Sequence, residues 1–279
     1  MQEIPVSIVI PTYNRSHYLK RAIDSIRNQT HPHWELIIVD DGSTDNSCTI
    51  VKSYNDERIK LLTRTFNLGV SSARNWGIKM AQYEWVALLD SDDEWLPQKL
   101  EKQLDYVQLH PQIYFVHCDE IWIRHDKRVN PHKKHQKHGG RIYSYCLPLC
   151  CVSPSASLLH KKILHDVGLF NEDYPVCEDY DLWLRIFSRY DAGYIDRPLL
   201  KKYGGHQDQL SHRFFAMDYW RVKSLTQILK NHQQYLSQDE IDLTKVTLHK
   251  KAQILINGYE KHKNYKHLEH IKNLLSQNL

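Results

Sequence analysis

Short apolar runs and stretches with an apolar residue at every third or fourth position take turns along the first third of the chain. The runs are Val6-Ser7-Ile8-Val9-Ile10, Glu35-Leu36-Ile37-Ile38-Val39, Ile59 to Leu62 and Trp85 to Leu89. They lack the alternation of a half-exposed strand, so they predict strands buried on both faces. The segments between them predict helices over Tyr18 to Asn28 with Ser16 as cap, from Ser43 or Asp45 through Tyr54, and over Ser71 to Ala81. Strand and helix alternating over short connections is the pattern of an α/β fold, a mostly parallel sheet flanked by helices.

Beyond Pro97 the pattern predicts a helix to His110 and strands over Ile113 to Ile123 and Ser153 to His160. Gly168-Leu169-Phe170-Asn171 is a turn, and Glu178-Asp179-Tyr180-Asp181 opens a helix with Leu182, Leu184 and Ile186 on its apolar face. Residues 124–141 are basic, histidine-rich and punctuated by Pro131 and Gly139-Gly140, which predicts a mobile solvated loop. Contact with an acceptor or a membrane is the functional reading of that loop. From Phe214 the pattern is helical to the end, over Tyr219 to Lys230, Asp239 to Gly258 and a last helix to Leu275. These helices read as an appendage on the sheet unit. Solvated polar faces explain their charge, and attachment to anionic lipid is the alternative.

Parallel sheets bind ligands outside the carboxyl ends of their strands. Three strand ends deliver Thr12-Tyr13, Asp40-Asp41 and Asp90-Ser91-Asp92-Asp93 to that edge. Extended backbone through Asp92 would put Asp90 and Asp92 on one side. Two carboxylates about 4 Å apart repel by roughly 4 kcal/mol near a protein surface, so such a cluster is either fully solvated or gathered for a cation. A few hard oxygen ligands suit Mg²⁺ or Mn²⁺ shared with a substrate's phosphates. No G-x-G-x-x-G follows the first strand and no G-x-x-x-x-G-K-[ST] occurs, so a phosphate ligand would lean on that metal. Glu178 and Asp179 are either favourable charge at a helix N-terminus or a general base.

Composition narrows the class without changing this picture. A chain of 279 residues, 41% hydrophobic and 25% charged, is an ordinary globular protein of one large domain or a domain with an appendage. No apolar segment approaches a membrane span, and the N-terminus lacks a secretory pattern. Six scattered cysteines without a Cys-x-x-Cys fit reduced thiols in a cytosolic protein. The net charge of +4 is mild, and the basic residues form no stripe with interleaved aromatics, which argues against nucleic acid.

The run Val6 to Arg15 followed by Val39-Asp40-Asp41-Gly42-Ser43-Thr44-Asp45 resembles the nucleotide-sugar half of family 2 inverting glycosyltransferases with the GT-A fold. Asn67-Leu68-Gly69, Ala73-Arg74-Asn75 and Leu89-Asp90-Ser91-Asp92-Asp93 continue the pattern in order. Gly168-Leu169-Phe170 and Glu178 to Arg185 resemble the acceptor-side segment that carries the catalytic carboxylate. The resemblance covers residues 4–215, and the last stretch matches nothing in the family pattern. It implies a GT-A domain over 1–215, with a nucleotide-sugar half over 1–120 and an acceptor half over 121–215, and a helical extension over 216–279.

Carried over by residue, the resemblance implies a donor site of Pro11, Thr12, Tyr13, Arg15, Asp40, Asp41, Arg74, Asp90 and Ser91. Tyr13 would stack on the nucleobase, and Asp41 would accept from the base imide, favouring a UDP-sugar, while Asp40 shapes that site. Asp90 and Asp92 correspond to the Asp-x-Asp motif, with Asp92 foremost for Mn²⁺ or Mg²⁺, Asp93 assisting or capping the next helix, and His206 near the diphosphate. Arg74 either contacts ribose and phosphates or makes a salt bridge on its helix. Asp179, or else Glu178, would be the base that activates a hydroxyl of a glycan or lipid-linked acceptor in bacterial surface polysaccharide synthesis. That implies work in the cytosol or at the inner membrane surface. The competing readings are a sugar-phosphate nucleotidyltransferase and a catalytically degenerate binding module of the same fold.

Overall fold

The computed structural model describes residues 3–130, 132–205 and 217–276. Strands β1 (Val6–Thr12), β2 (Trp34–Asp40), β3 (Ile59–Thr63) and β4 (Trp85–Leu88) are parallel, in the order β3-β2-β1-β4. Every residue of β1 and β2 is buried, as unbroken apolar runs require. Helices α1 (Ser16–Arg27), α2 (Ser47–Lys52) and α3 (Val70–Met80) make the connections. Side chains of β1 go alternately to the two faces: Ile8 and Ile10 pack with Leu19, Ile23 and Ile26 of α1, and Val9 packs with Ala73 and Ile78 of α3. At Gly77 the helix touches the sheet, where an added Cβ would lie 2.4 Å from Val9 Cγ1.

The second half adds β5 (Glu94–Trp95), α4 (Lys99–Leu109), β6 (Phe115–Arg124), β7 (Lys127–Val129), α5 (Tyr143–Cys146), β8 (Leu158–His160), α6 (Lys161–Val167), α7 (Glu178–Phe187) and β9 (Gly193–Gly204). The sheet runs β3-β2-β1-β4-β8-β6-β9-β5, with β7 hooked onto β6. It is parallel on the first side and mixed on the second, because β8 is antiparallel to both β4 and β6, and β5 is antiparallel to β9. Strands β5 and β9 are absent from the hydrophobic pattern. Pro198 and charged residues interrupt β9, and the proline sits opposite Asp119 where the β6 register shifts, a bulge that needs no ladder N–H.

Residues 124–130 and 132–141 are mostly exposed, as expected of a solvated loop, but they are not without structure. They carry the β6–β7 hairpin, a 3-10 turn over Lys133–His135 and the buried Lys137, whose ammonium lies 3.1 Å from the buried Glu120 carboxylate. Charge density misled because a lysine can be buried when it is paired. Ser16 is the first helical residue of α1 rather than its cap, and its amide donates to Asp45 Oδ2 at 2.9 Å.

Helices α8 (Met217–Asn231), α9 (Gln238–Lys261) and α10 (Tyr265–Ser276) close the chain. Ser237 and Glu240 form a capping box at the start of α9. Val222, Leu225 and Ile228 of α8 and Ile241, Leu248 and Leu255 of α9 join the same core as Leu182, Trp183 and Ile186 of α7. Among the described residues no helix is long and apolar enough to cross a membrane.

One buried charge has a measurable cost. Lys99 is fully buried behind the sheet edge, donating to Gln103 Oε1 at 2.7 Å and lying 3.9 Å from the Trp95 ring. Burial brings its ammonium down to about 7 from an ordinary 10.5. The unfolded chain therefore holds a proton between pH 7 and 10.5 that the folded chain does not. Stability rises with pH across that window, and the penalty is complete below it. A shift of this size corresponds to about 5 kcal/mol at most, and removing the amine leaves the Gln103 carbonyl unpaired at about 1–3 kcal/mol. Lys99→Met is thus expected to gain about 2 kcal/mol over wild type at pH 6 and none at pH 10, read by urea denaturation. Equal midpoints at pH 6 would show that the amine stays solvated.

Candidate active site

The loops after β1 and β2 are stitched together. Asn14, in the left-handed region at φ 52, takes a hydrogen bond on its Oδ1 from the Thr44 amide, and its own amide donates to Ser43 Oγ. The Arg15 amide donates to Ser47 Oγ. Gly42 has φ +83, and an added Cβ would lie 2.9 Å from the Phe66 carbonyl carbon, so glycine is required between Asp41 and Ser43. Tyr13 stands 41% exposed at the strand end, available for stacking, while Pro11 is buried beneath it.

Thr12 and Asp40 are register partners on adjacent strands. Each keeps a buried oxygen, Thr12 Oγ1 and Asp40 Oδ2, that lacks a hydrogen-bond partner of good geometry. The Ser43 amide donates to Asp40 Oδ1, and the Cys48 thiol is pushed up first by burial and then by the Asp40 carboxylate. Orphaned acceptors are rare in folded proteins and mark places where a partner is missing. Asp41 is differently placed. Its Oδ2 accepts from the Leu68 and Gly69 amides and its Oδ1 from Arg64 Nη1, so its carboxylate organises the loop entering α3. The resemblance gave the imide contact to Asp41. Three of the acceptor sites of Asp41 are taken, whereas Asp40 accepts from the Ser43 amide on Oδ1 and keeps Oδ2 without a partner among the described residues.

The acidic motif does not continue β4 as extended chain. The Asp93 amide donates to Asp90 O at 3.0 Å, closing a turn. Asp90, with its side chain 28% exposed, meets Arg74 Nη2 at 2.7 Å. Asp92 is half-buried, and its backbone carbonyl accepts from Arg21 Nη2. Asp93, expected among the metal ligands, points into the protein: Ser155 Oγ donates to its Oδ2 at 2.5 Å and the Tyr203 amide to its Oδ1 at 2.9 Å. Burial, then repulsion from Asp92 and Asp90, pushes its carboxyl well up. The turn, not a strand, decides which of these side chains faces the cleft. Ser91 is buried in it.

Among the described residues no three histidine, cysteine or acidic side chains gather closely enough to hold a metal. Mg²⁺ and Mn²⁺ are commonly held by one or two carboxylates plus a substrate's phosphate oxygens, and Asp90 and Asp92, both partly exposed, have the hard oxygen donors such an ion takes. His206 lies outside the described residues.

Helix α7 brings Glu178 and Asp179 to the same cleft. It starts after Cys177, a non-glycine residue at φ 61. Glu178 is buried, and its Oε1 accepts from Arg74 Nη1 at 2.7 Å. Burial and then the neighbouring Asp179 raise its carboxyl to about 7, against the pull of Arg74. Arg74 thus joins the β4 end to the α7 N-terminus, its ion pairs reaching other elements rather than its own helix. Asp179 is half-buried. Its Oδ1 accepts from the Tyr180 amide at 2.7 Å, and its Oδ2 lies 3.2 Å from Cys150 Sγ. Ser155, Arg64, Arg21 and Cys150 were not singled out in the sequence, since each meets its partner from a distant position without a motif of its own.

Comparison with known proteins agrees with this layout. The model of the family described as glycosyl transferase family 2 matches residues 7–168. The Escherichia coli protein named UDP-Glc:alpha-D-GlcNAc-diphosphoundecaprenol beta-1,3-glucosyltransferase WfgD is 33% identical over 216 residues, covering 77% of this chain and 83% of the relative. Matched glycosyltransferases from Rickettsia are longer, and the chain covers 66% or less of each of the first three. S. aureus TarS 1-349 in complex with UDP-GlcNAc superposes with a TM-score of 0.71 at 20% identity, over 92% of this chain and 73% of that one. The mannosyltransferase PcManGT from Pyrobaculum calidifontis, in complex with GDP-Man and Mn2+, superposes with a TM-score of 0.61 at 15% identity, over 99% of this chain and 87% of that one. At those identities the two structures speak for the fold, and the sequence matches speak for the family. With its motifs in order on a GT-A sheet, this chain belongs to glycosyl transferase family 2 and is a glycosyltransferase.

Proposed function

We propose that this chain moves a sugar, with inversion, from a UDP-sugar to a hydroxyl of a lipid-linked glycan, in the assembly of a bacterial surface polysaccharide. The observation that carries the donor reading is the pair of orphaned buried oxygens, Thr12 Oγ1 and Asp40 Oδ2, at partnered strand ends beside the exposed Tyr13. A uracil imide supplies the missing N–H donor, and the tyrosine ring supplies a face to stack on. The acceptor reading leans on the named activity of the E. coli relative, whose acceptor is a diphosphoundecaprenol-linked sugar. Such an acceptor puts the work at a membrane surface, with the protein in peripheral contact.

Within this reading Asp92 and Asp90 hold the divalent ion. When bound, that ion acts as a Lewis acid that neutralises charge on the leaving diphosphate. Arg74 keeps Asp90 oriented from behind. Asp179 takes the proton of the attacking hydroxyl, a contribution typically worth 10² to 10⁴ in rate. Glu178 is buried against Arg74 and serves to position that guanidinium. The donor half is residues 1–120, the acceptor half 121–215, and 216–279 is a helical extension.

A thermal-shift series tests the donor site. UDP with Mn²⁺ is expected to raise the melting temperature, because a ligand of the folded state alone stabilises it by mass action. Asp40→Asn, which cannot accept from the imide at the substituted atom, is expected to weaken the UDP shift by about tenfold in ligand concentration. A GDP shift equal to that of UDP in the wild type would refute the pyrimidine assignment.

A further inference from the structure

Behind Asp179 lies a group of thiols that the transfer reaction does not use. Cys146, at the end of α5, and Cys151 are both free thiols, and their sulfurs are 2.7 Å apart. Cys150, next in the chain to Cys151, places its sulfur 3.2 Å from Asp179 Oδ2 and 3.2 Å from Val152 O. Cys146 is fully buried, whereas Cys150 and Cys151 are partly exposed.

We propose that Cys146 and Cys151 are an oxidation site, a dithiol that a peroxide closes to a disulfide and that thereby disturbs the carboxylate of Asp179. The part concerning Asp179 rests on the glycosyl-transfer reading above. Three features make this pair suited to oxidation. The sulfurs are already in contact, so bond formation calls for an approach of well under 1 Å to a disulfide length of about 2 Å. The two thiols are unequal: the Cys146 hydrogen bond, the largest influence, lowers Cys151, while burial first and then Cys151 push Cys146 up. Cys151 is thus the more acidic and the more accessible of the two, which is the order a peroxide requires.

The chemistry balances with one peroxide as the two-electron oxidant. The Cys151 thiolate attacks the O–O bond, giving a sulfenic acid and hydroxide, which is protonated to water. Cys146 Sγ then attacks the sulfenyl sulfur; the S–S bond forms, the S–O bond breaks, and hydroxide leaves with the Cys146 proton as a second water. Closure pulls on residue 151, and the peptide bond transmits the pull to Cys150. Burial, and after it the Asp179 charge, keeps the Cys150 thiol protonated, so it is a donor towards that carboxylate. Displacing a donor from an ionised carboxylate raises its proton affinity and loosens its aim.

The test uses the full chain, treated with hydrogen peroxide and then with dithiothreitol. Peptide mapping is expected to find a Cys146–Cys151 link, with the six free thiols falling to four. UDP release from UDP-glucose with Mn²⁺ is expected to slow several-fold, the acid limb of its pH profile to move upwards, and dithiothreitol to reverse both. Cys151→Ser, at the more exposed position, is expected to form no link and to keep its rate under peroxide. Cys146→Ala, checked first by its melting temperature, should behave alike. Six persisting thiols, a link between other cysteines, or equal peroxide sensitivity in Cys151→Ser would overturn the proposal, as would a link without any change in rate. A Cys146–Cys151 link in a protein that releases no UDP even when reduced would support the dithiol and instead count against the transfer reading.

Discussion

Asp179→Asn is expected to lower sugar transfer by about 10²- to 10⁴-fold while leaving the fold and donor binding as they were. The amide keeps the oxygen that caps the Tyr180 N–H and loses the ability to take a proton, while the Cys150 thiol, which also donates towards Asp179 Oδ2, keeps Val152 O as an acceptor. Its melting temperature should therefore stay within about 2 °C of wild type, since no buried partner is stranded. The check is UDP release with and without acceptor, alongside the UDP thermal shift. Glu178→Gln is the informative companion. Glu178 is tied to Arg74, so this change should show mainly as lost stability. If Asp179→Asn turned over within threefold of wild type while Glu178→Gln lost transfer with its melting temperature unchanged, the two roles would be exchanged.

Arg74→Leu is expected to cost about 3–5 kcal/mol of folding stability, because it strands Glu178 in the interior and leaves Asp90 without its cation. Arg74 is itself 3% exposed, and its charged form is strongly favoured by the two carboxylates despite burial. Arg74→Lys should recover only part of the loss. A single ammonium has no fork with which to span carboxylates on two elements. Urea denaturation of the three proteins reads this directly. A loss below about 1 kcal/mol in Arg74→Leu would mean that water enters to solvate Glu178 and that the bridge carries little of the joint.

How much of this could be read from the chain follows from where each signal lies. Strands β1 to β4 were legible to within a residue or two at most ends, because burial on both faces writes β1, β2 and most of β4 as apolar runs, while β3, only half-buried, shows as a short apolar stretch broken by Lys60. The strand ends bearing Thr12, Asp40 and Asp90 were legible with them. The aim of each carboxylate was not. Asp40 and Asp41 are neighbours with different fates, one keeping an oxygen without a partner among the described residues and one holding three hydrogen bonds, and the difference is made by Arg64 and the amides of Leu68 and Gly69. Asp93 turns inward because Ser155 and the Tyr203 amide wait for it, from 62 and 110 positions away. Strand β9 was missed because its partners supply its pattern: a proline at a bulge and lysines paired across the sheet erase the alternation that would announce it. The hairpin after β6 was missed because its tip is exposed and charged, and the buried Lys137 beyond it looks like surface until Glu120 is placed beside it.

The shared packing of α7 with α8 and α9 bears on the stretch of chain that resembles nothing in the family pattern. The Cys177 thiol approaches Met217 O at 3.8 Å, Arg221 lies over the Tyr180 ring, and Val222 and Leu225 sit in the same cluster as Leu182 and Trp183. The helix that presents Glu178 and Asp179 is held from outside by this tail. Drift in the tail's sequence is therefore free only in its solvent-facing letters. A methyl group lost from its inner side would be felt as play in a carboxylate that it never touches.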